Sequence, residues 1–123
     1  AAGRKGEVSA SGALAHAAQL YGNWEKRLEV AAGAAAGLYH MHKMGVCHRD
    51  LTSYNLLLDA GLSPKLCDFN LSRMVPGGPG MMLLANSGSL NSPLWQPPEM
   101  LRGEERYEGR LLDVFSFGII LSE

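Results

Sequence analysis

Apolar side chains recur at helical spacing between Asn23 and Gly45. Asn23 is a good N-cap residue, Glu25 falls in the first helical turn, and Gly45 is a natural left-handed stop. This pattern predicts a helix over residues 24–44. The residues that would form its repeating face are Leu28, Ala31, Ala32, Ala35, Leu38, Tyr39 and His42.

The predicted helix has a small, Ala-rich face, which would allow a neighbouring element to pack closely. Gly33 and Gly37 lower its intrinsic helix propensity. We therefore expect tertiary packing, more than propensity, to hold this helix.

Two short apolar runs follow, at residues 55–59 and 65–68, separated by a turn-forming stretch at 60–64. This arrangement predicts a β-hairpin. Because the two ends of a hairpin meet, we expect its base to bring Asp50, Asn55 and Asp68 near one another.

The last third of the chain alternates between irregular and apolar stretches. Residues 71–92 show no sustained period and predict a long functional or disordered loop, in which the apolar run 81–84 packs against the body of the protein. Residues 97–101 predict a short helix that opens with proline. Residues 104–110 predict a charged surface segment, and 113–121 are apolar nearly all round, which predicts a deeply buried helix.

Residues 1–22 are rich in Ala, Gly and Ser and have little periodicity. We interpret them as a low-complexity linker or the ragged end of a longer protein, with a weak helix over 13–20. Residues 23–123 would then form the structured unit.

The composition of the chain argues against several classes of function. The chain has 123 residues, is 46% hydrophobic and carries a net charge of −1, so no basic field indicates nucleic acid or an anionic membrane. Cys47 and Cys67 lie in apolar runs without a C-x-x-C pattern, which favours buried thiols over a disulfide or metal ligands. Residues 111–121 are too short for a membrane span and contain Asp113. We expect a soluble chain without a membrane segment.

The chemistry is concentrated in residues 48–55, which read HRDLTSYN. This stretch holds the carboxylate of Asp50 and the carboxamide of Asn55, and Asp68 follows after the predicted hairpin. Oxygen ligands of this kind can hold a hydroxyl nucleophile and hard metal ions together. That combination is typical of phosphoryl transfer, in which the protein mainly positions reactants and neutralises charge.

Five segments together resemble the eukaryotic protein kinase family. Residues 48–55 are similar to its catalytic loop, 68–70 (DFN) to the D-F-G metal motif, and 97–99 (PPE) to A-P-E. Residues 113–118 (DVFSFG) resemble the start of the central helix of the large lobe, and 38–42 (LYHMH) the end of the helix before the catalytic loop. The resemblance covers residues 24–123, with the motifs in the family's order and spacing.

The resemblance implies an ATP and Mg²⁺ site that acts on a protein substrate. Asp50 would be the catalytic base that accepts the proton of the substrate hydroxyl. Asn55 and Asp68 would hold magnesium against the ATP phosphates, and Leu57 would lie beneath the adenine ring. Taken in isolation, Asp50 and Asp68 would most often be solvated loop carboxylates, and Asn55 would be an ordinary turn or hairpin-base amide.

The resemblance also implies structural roles. His48 and Phe69 would belong to a stacked regulatory spine. Glu99 would anchor the end of the activation segment, and Asp113 would brace the backbone of the catalytic loop.

Arg49 precedes the catalytic Asp, as in kinases that are controlled by phosphorylation of the activation loop. It would then pair with a phosphate on Ser87 or Ser89. The alternative, a plain surface ion pair for Arg49, is equally open.

Residues 91–99 (NSPLWQPPE) resemble the G-T-P-x-W-M-A-P-E pattern of serine/threonine kinases, particularly the tyrosine-kinase-like group. Ser92 falls where that pattern has the Thr that contacts the catalytic Asp. The catalytic loop also lacks the endings typical of tyrosine kinases, so we expect a serine/threonine enzyme.

Two positions depart from the family pattern. Thr52 replaces the usual Lys, which removes a charge-assisted contact of about 1.5–3 kcal/mol with the transferring phosphate. Asn70 replaces the Gly of D-F-G. These departures keep a pseudokinase or scaffold open as an alternative.

The sequence has no Gly-rich phosphate loop, no V-A-I-K lysine and no partner glutamate for that lysine. We therefore expect an α+β fold of the protein kinase type, consisting of a mainly helical large-lobe segment with a short hairpin and little of the small lobe. Such a chain would not bind ATP tightly alone, and an inactive truncated fragment is a further alternative. The cytosol, or the cytoplasmic side of a membrane, is the expected location.

Overall fold

The computed structural model describes residues 17–75, 82–84 and 92–123. Residues 17–21 are helical, which overlaps the weak helix predicted over 13–20, and they are followed by the long helix α1 (Trp24–Lys43). The Asn23 side chain accepts a hydrogen bond from the backbone N–H of Lys26 at 3.3 Å, which caps α1 as predicted. Gly45 follows the helix with φ +78°, so the predicted left-handed stop is also confirmed.

The face that α1 buries differs from the predicted one. Ala34 and Leu38 are buried, whereas Leu28 and Tyr39 are 65% and 67% exposed. The prediction was wrong for these two residues because α1 meets the following hairpin along its Ala and Gly positions. A Cβ on Gly33 would lie 2.7 Å from Pro64 Cγ, so this glycine allows the close approach.

The described strands form short antiparallel pairs. Strand β1 (Val46–Cys47) pairs with β4 (Arg73–Met74), and β2 (Leu56–Leu58) pairs with β3 (Pro64–Leu66). The β2–β3 pair is the predicted hairpin, with Leu56 opposite Leu66. Strand β5 (Met82–Leu84) pairs with β6 (Arg106–Glu108). Residues 104–106 are exposed, as the predicted charged surface segment requires, but the prediction was wrong from Tyr107 onward, since Tyr107 in β6 is only 1% exposed.

Two helices follow the 3₁₀ turn Pro93–Trp95: α2 (Pro98–Leu101), which confirms the predicted short helix, and α3 (Gly109–Ser122). The Glu108 side chain caps α3 by accepting from the backbone N–H of Leu111 at 2.7 Å. The expectation of a deeply buried helix was wrong for α3. Its buried residues form a narrow stripe, while Val114 and Leu121 are 56% and 57% exposed, because no described element covers that side.

The core joins α1, α3 and the segments around residue 50. Its apolar residues are Ala34, Leu38, Cys47, Leu51, Leu62, Val75, Tyr107 and Leu112. Of the polar residues in the described ranges, those buried among them are His48, Arg49, Thr52, Asn55, Asp113 and Ser116. Helices with short strand pairs agree with the expected fold class. Within the described residues, no helix combines the length and apolarity needed to cross a membrane.

Candidate active site

A carboxylate in α3 holds the segment between β1 and β2 through hydrogen bonds. Asp113 is fully buried, and its Oδ2 and Oδ1 accept hydrogen bonds from the backbone N–H groups of His48 at 2.8 Å and Arg49 at 2.9 Å. His42 Nε2 lies 2.7 Å from Asp113 Oδ2 and donates to it. One buried acid therefore fixes two consecutive peptide units.

The same carboxylate belongs to a small cluster that the sequence did not reveal. The ligand atoms of His42, Cys47 and Asp113 lie within 4.8 Å of one another. Burial, followed by the charge of Asp113, raises the pKa of the Cys47 thiol to about 12, which keeps it protonated. Because both oxygens of Asp113 already accept N–H bonds and the Cys47 thiol is protonated, the cluster has the chemistry of a hydrogen-bonded support and lacks that of a metal site.

His48 connects this support to the second motif. Its Nε2 lies 2.8 Å from the carbonyl oxygen of Cys67, to which only a protonated ring nitrogen can donate. Its Nδ1 accepts from the backbone N–H of Asp50 at 3.2 Å, which matches that tautomer. The ring of Phe69 is half exposed and lies 5.4 Å from the His48 ring, between centroids.

Arg49 is buried, with 3% exposure, and the predicted alternative of a surface ion pair is wrong for it. Its Nε donates to the hydroxyl of Tyr107 at 2.5 Å, and Nη1 donates to the carbonyl of Leu71 at 2.9 Å. Within the part of the chain that the structure describes, its Nη2 has no hydrogen-bond partner. The phosphate partners expected for Arg49, Ser87 and Ser89, lie outside the described residues.

Tyr107 was missed by sequence reasoning because charged residues flank it. It lies in β6, with its hydroxyl at the Arg49 guanidinium. Burial raises the pKa of Tyr107, and the charge of Arg49 partly offsets that rise. A neutral phenol therefore remains available as the acceptor that positions Arg49.

Asp50 lies where three segments converge. Its Oδ1 accepts a hydrogen bond from Ser92 Oγ at 2.9 Å, and its backbone carbonyl accepts from Asn55 Nδ2 at 2.5 Å. The backbone N–H of Cys67, the residue before Asp68, donates to the Asn55 carbonyl at 2.9 Å. The hairpin thus links Asp50 and Asn55 to the chain that carries Asp68.

The remaining predicted residues lie around this centre. Asp68 is exposed and has φ +60°, and Arg49 has φ +72°. Left-handed conformations of non-glycine residues cost free energy and concentrate at functional sites. Leu57 lies in β2 and is 52% exposed, and Glu99 lies in the first turn of α2.

The available donors suit a hard metal ion. Asn55 uses its amide nitrogen on the Asp50 carbonyl, which leaves the amide oxygen as an acceptor. Asp68 offers an exposed carboxylate one residue beyond the peptide unit bonded to Asn55. Two oxygen donors beside a general-base candidate fit Mg²⁺, which keeps several waters and takes one or two protein ligands.

Comparison with known proteins shows which family the chain resembles. The profile of the Protein kinase domain family matches residues 7–123. A probable serine/threonine-protein kinase of Dictyostelium discoideum is 39% identical over 108 residues, which cover 88% of this chain and 11% of that protein. A probable receptor-like protein kinase of Arabidopsis thaliana is 39% identical over 81% of this chain and 11% of its own length.

A third relative is dual specificity testis-specific protein kinase 2 of Mus musculus, which is 43% identical over 85% of this chain and 18% of its own length. The chain thus spans less than a fifth of the length of these relatives. The family profile covers most of the chain, and the fold carries the motifs of that family in register. The chain therefore belongs to the protein kinase family.

Proposed function

We propose that the protein containing this chain transfers the γ-phosphoryl group of ATP to a Ser or Thr hydroxyl of a protein substrate. The observation that carries the proposal is the placement of the Asp50 carboxylate. Ser92 Oγ donates a hydrogen bond to Asp50 Oδ1 at 2.9 Å, and Asn55 Nδ2 donates one to the backbone carbonyl of Asp50. A partly exposed carboxylate that is fixed in this way can orient an incoming hydroxyl and accept its proton.

Asn55 and Asp68 would hold Mg²⁺, whose role when bound is to neutralise charge on the ATP phosphates. Leu57 would support the adenine ring from β2. The contact between His48 and Phe69 would keep the Asp68 segment aligned with the catalytic loop, since His48 also bonds the carbonyl that precedes Asp68. Glu99 would anchor the end of the activation segment.

Arg49 would respond to phosphorylation of the activation segment. Its Nη2 is buried and has no hydrogen-bond partner among the described residues, and such a group gains free energy when an anion reaches it. A phosphate on Ser87 or Ser89 is the proposed anion. Because ATP is the cosubstrate, we place the reaction in the cytosol or on the cytoplasmic side of a membrane.

A pseudokinase or scaffold is the second candidate, and Thr52 favours it. The side chain of Thr52 is buried, with 3% exposure, so it neither carries a charge nor extends into the solvent where phosphates would lie. The two candidates differ in turnover, since a scaffold would keep the fold and lose the transfer.

The test is a phosphotransfer assay on the full protein, with γ-labelled ATP, Mg²⁺ and a generic protein acceptor. Hydrolysis of the product and separation of the phosphoamino acids identify the acceptor. Label on phosphoserine or phosphothreonine supports the proposal. Label on phosphotyrosine as well would replace it with a dual-specificity enzyme, and absence of label from the folded protein would favour the scaffold.

A further inference from the structure

Strand β5 lies in the apolar run 81–84 and has no role in the chemistry described above. Its pairing with β6 sets Leu83 directly opposite Tyr107. Side chains that are opposite each other in an antiparallel pair point to the same face and are close enough to touch. Leu83 is partly buried and Tyr107 is 1% exposed. Leu83 therefore forms part of the cover over the Tyr107 side chain.

Gly109 provides the space that the Leu83 side chain occupies. It is buried at the start of α3, two residues after Tyr107. A Cβ on Gly109 would lie 3.0 Å from Leu83 Cδ1 and 2.8 Å from Cys47 Sγ. Any side chain at this position would therefore have to displace Leu83 or the Cys47 thiol. The missing side chain leaves a slot beside Tyr107, and Leu83 fills it.

Tyr107 connects this slot to the catalytic loop. Its hydroxyl accepts from Arg49 Nε at 2.5 Å, and the guanidinium carbon of Arg49 lies 5.7 Å from the centroid of the Tyr107 ring. Arg49 Nη1 also donates to the carbonyl of Leu71, three residues after Asp68, at 2.9 Å. Continuous contacts thus run from β5 through Tyr107 and Arg49 to the segment that carries Asp68.

We propose that Leu83 is a positioning residue for the transfer reaction and acts on Arg49 through Tyr107. While Leu83 fills the slot, the Tyr107 hydroxyl is held at the Arg49 guanidinium. When Leu83 is withdrawn, water reaches the Tyr107 ring and Arg49 loses a fixed acceptor, because close-packed side chains transmit such a displacement to their neighbours. The seating of β5 thereby regulates the site by packing, without a phosphate. This inference rests on the proposed kinase function.

The experiment is a double-mutant cycle in the full protein, with kcat for transfer from ATP to a generic protein acceptor as the readout. Leu83→Ala should lower kcat on the order of tenfold. Leu83→Met, which conserves volume, should restore kcat to near the wild-type value. Met82→Ala is the matched control and should leave kcat unchanged, because Met82 is the adjacent residue of β5 but is 52% exposed.

The second arm of the cycle removes only the Tyr107 hydroxyl, in Tyr107→Phe. If Leu83 acts through that hydroxyl, Leu83→Ala should lower kcat by less than about twofold in the Tyr107→Phe background. Urea unfolding of each variant ensures that the assays compare folded proteins. An equal loss of kcat in both backgrounds would overturn the inference and leave the kinase function intact, since Leu83 would then act by packing alone. An unchanged kcat in Leu83→Ala would overturn it as well.

If no variant and no wild-type protein transfers phosphate, the kinase function fails, and the contact is tested by the alkaline absorbance titration of tyrosine. Subtracting the curve of Tyr107→Phe from that of wild type isolates the ionisation of Tyr107. The same difference in the Leu83→Ala background should lie at lower pH, because burial raises the pKa of Tyr107 and loss of Leu83 relieves that burial. In the Met82→Ala background it should not move. A Tyr107 curve that ignores Leu83 would reject the contact.

Discussion

Asp113 Oδ1 lies 2.9 Å from the backbone nitrogen of Arg49, a residue 64 positions earlier in the chain. Its other oxygen, Oδ2, accepts hydrogen bonds from the backbone N–H of His48 and from His42 Nε2. This carboxylate joins α3 to the segment that carries Asp50, so the geometry of the candidate catalytic loop depends on a residue that touches none of the reacting atoms.

Asp113→Asn should lower the free energy of unfolding by about 1.5–3 kcal/mol. The Asn side chain would turn its NH₂ group towards N–H donors. At least one of these buried donors would then lack a hydrogen-bond acceptor. Urea denaturation of the full protein measures the change. Glu104→Gln is the control, because the exposed pair of Glu104 with Arg102 contributes less than about 1 kcal/mol. Equal effects of the two substitutions would show that Asp113 does not brace the loop.

Two glycines of α1 should respond in opposite directions to substitution by Ala. A Cβ at Gly33 would lie 2.7 Å from Pro64 Cγ, so Gly33→Ala should destabilise the protein by about 1–3 kcal/mol. A Cβ at Gly37 would lie 3.6 Å from Leu66 Cδ1, an ordinary contact, so Gly37→Ala should stabilise it by about 0.5–1 kcal/mol through helix propensity. Each variant serves as the control for the other in thermal or urea unfolding. Stabilisation by both would mean that α1 and β3 are further apart than described.

Alkaline pH should reduce stability through Cys47. Burial raises the pKa of its thiol from 9.0 to about 12, so below pH 9 the thiol is protonated in both the folded and unfolded states. Above pH 9 the unfolded chain loses this proton and the folded chain keeps it. The free energy of unfolding should therefore fall by about 1.4 kcal/mol per pH unit as pH rises towards 12.

Urea titrations at about pH 8 and about pH 10.5 measure this dependence. Cys47→Ala should unfold with a smaller slope against pH, whatever its absolute stability. The slope that remains would include Tyr107, whose pKa is also raised by burial and which acts in the same direction. An unchanged slope in Cys47→Ala would place the thiol in contact with water.

Local signals in the sequence were sufficient to predict the structural elements that depend only on residues close by in the chain. The Asn23 cap, the Gly45 stop and the hairpin around residues 60–64 each follow from turn and capping chemistry within a few positions. The β1–β4 and β5–β6 pairs were not predicted, because strands of two or three residues are too short to show a period.

Burial was harder to predict, since it depends on which elements become neighbours. The apolar composition of α3 indicated a buried helix, yet its fully buried residues are limited to Gly109, Leu112, Asp113 and Ser116. Tyr107 was hidden between two charged residues and is among the most buried side chains. The roles suggested for His48, Asp50 and Asp68 came from resemblance to a family, because spacing alone does not distinguish a catalytic loop from a polar turn.

Substitution of Asp50 tests the central claim, that Asp50 is the base of a phosphoryl-transfer site. The measurement is kcat of the full protein for transfer from ATP to a protein acceptor, in wild type, Asp50→Asn and Asp59→Asn. Asp59 is the matched control, because it is an exposed carboxylate at the hairpin turn whose Oδ1 only accepts from the N–H groups of Gly61 and Ser63, which Asn can also do. We predict that kcat falls about 10²–10⁴-fold in Asp50→Asn and stays near wild type in Asp59→Asn. Equal kcat in all three proteins would contradict the account.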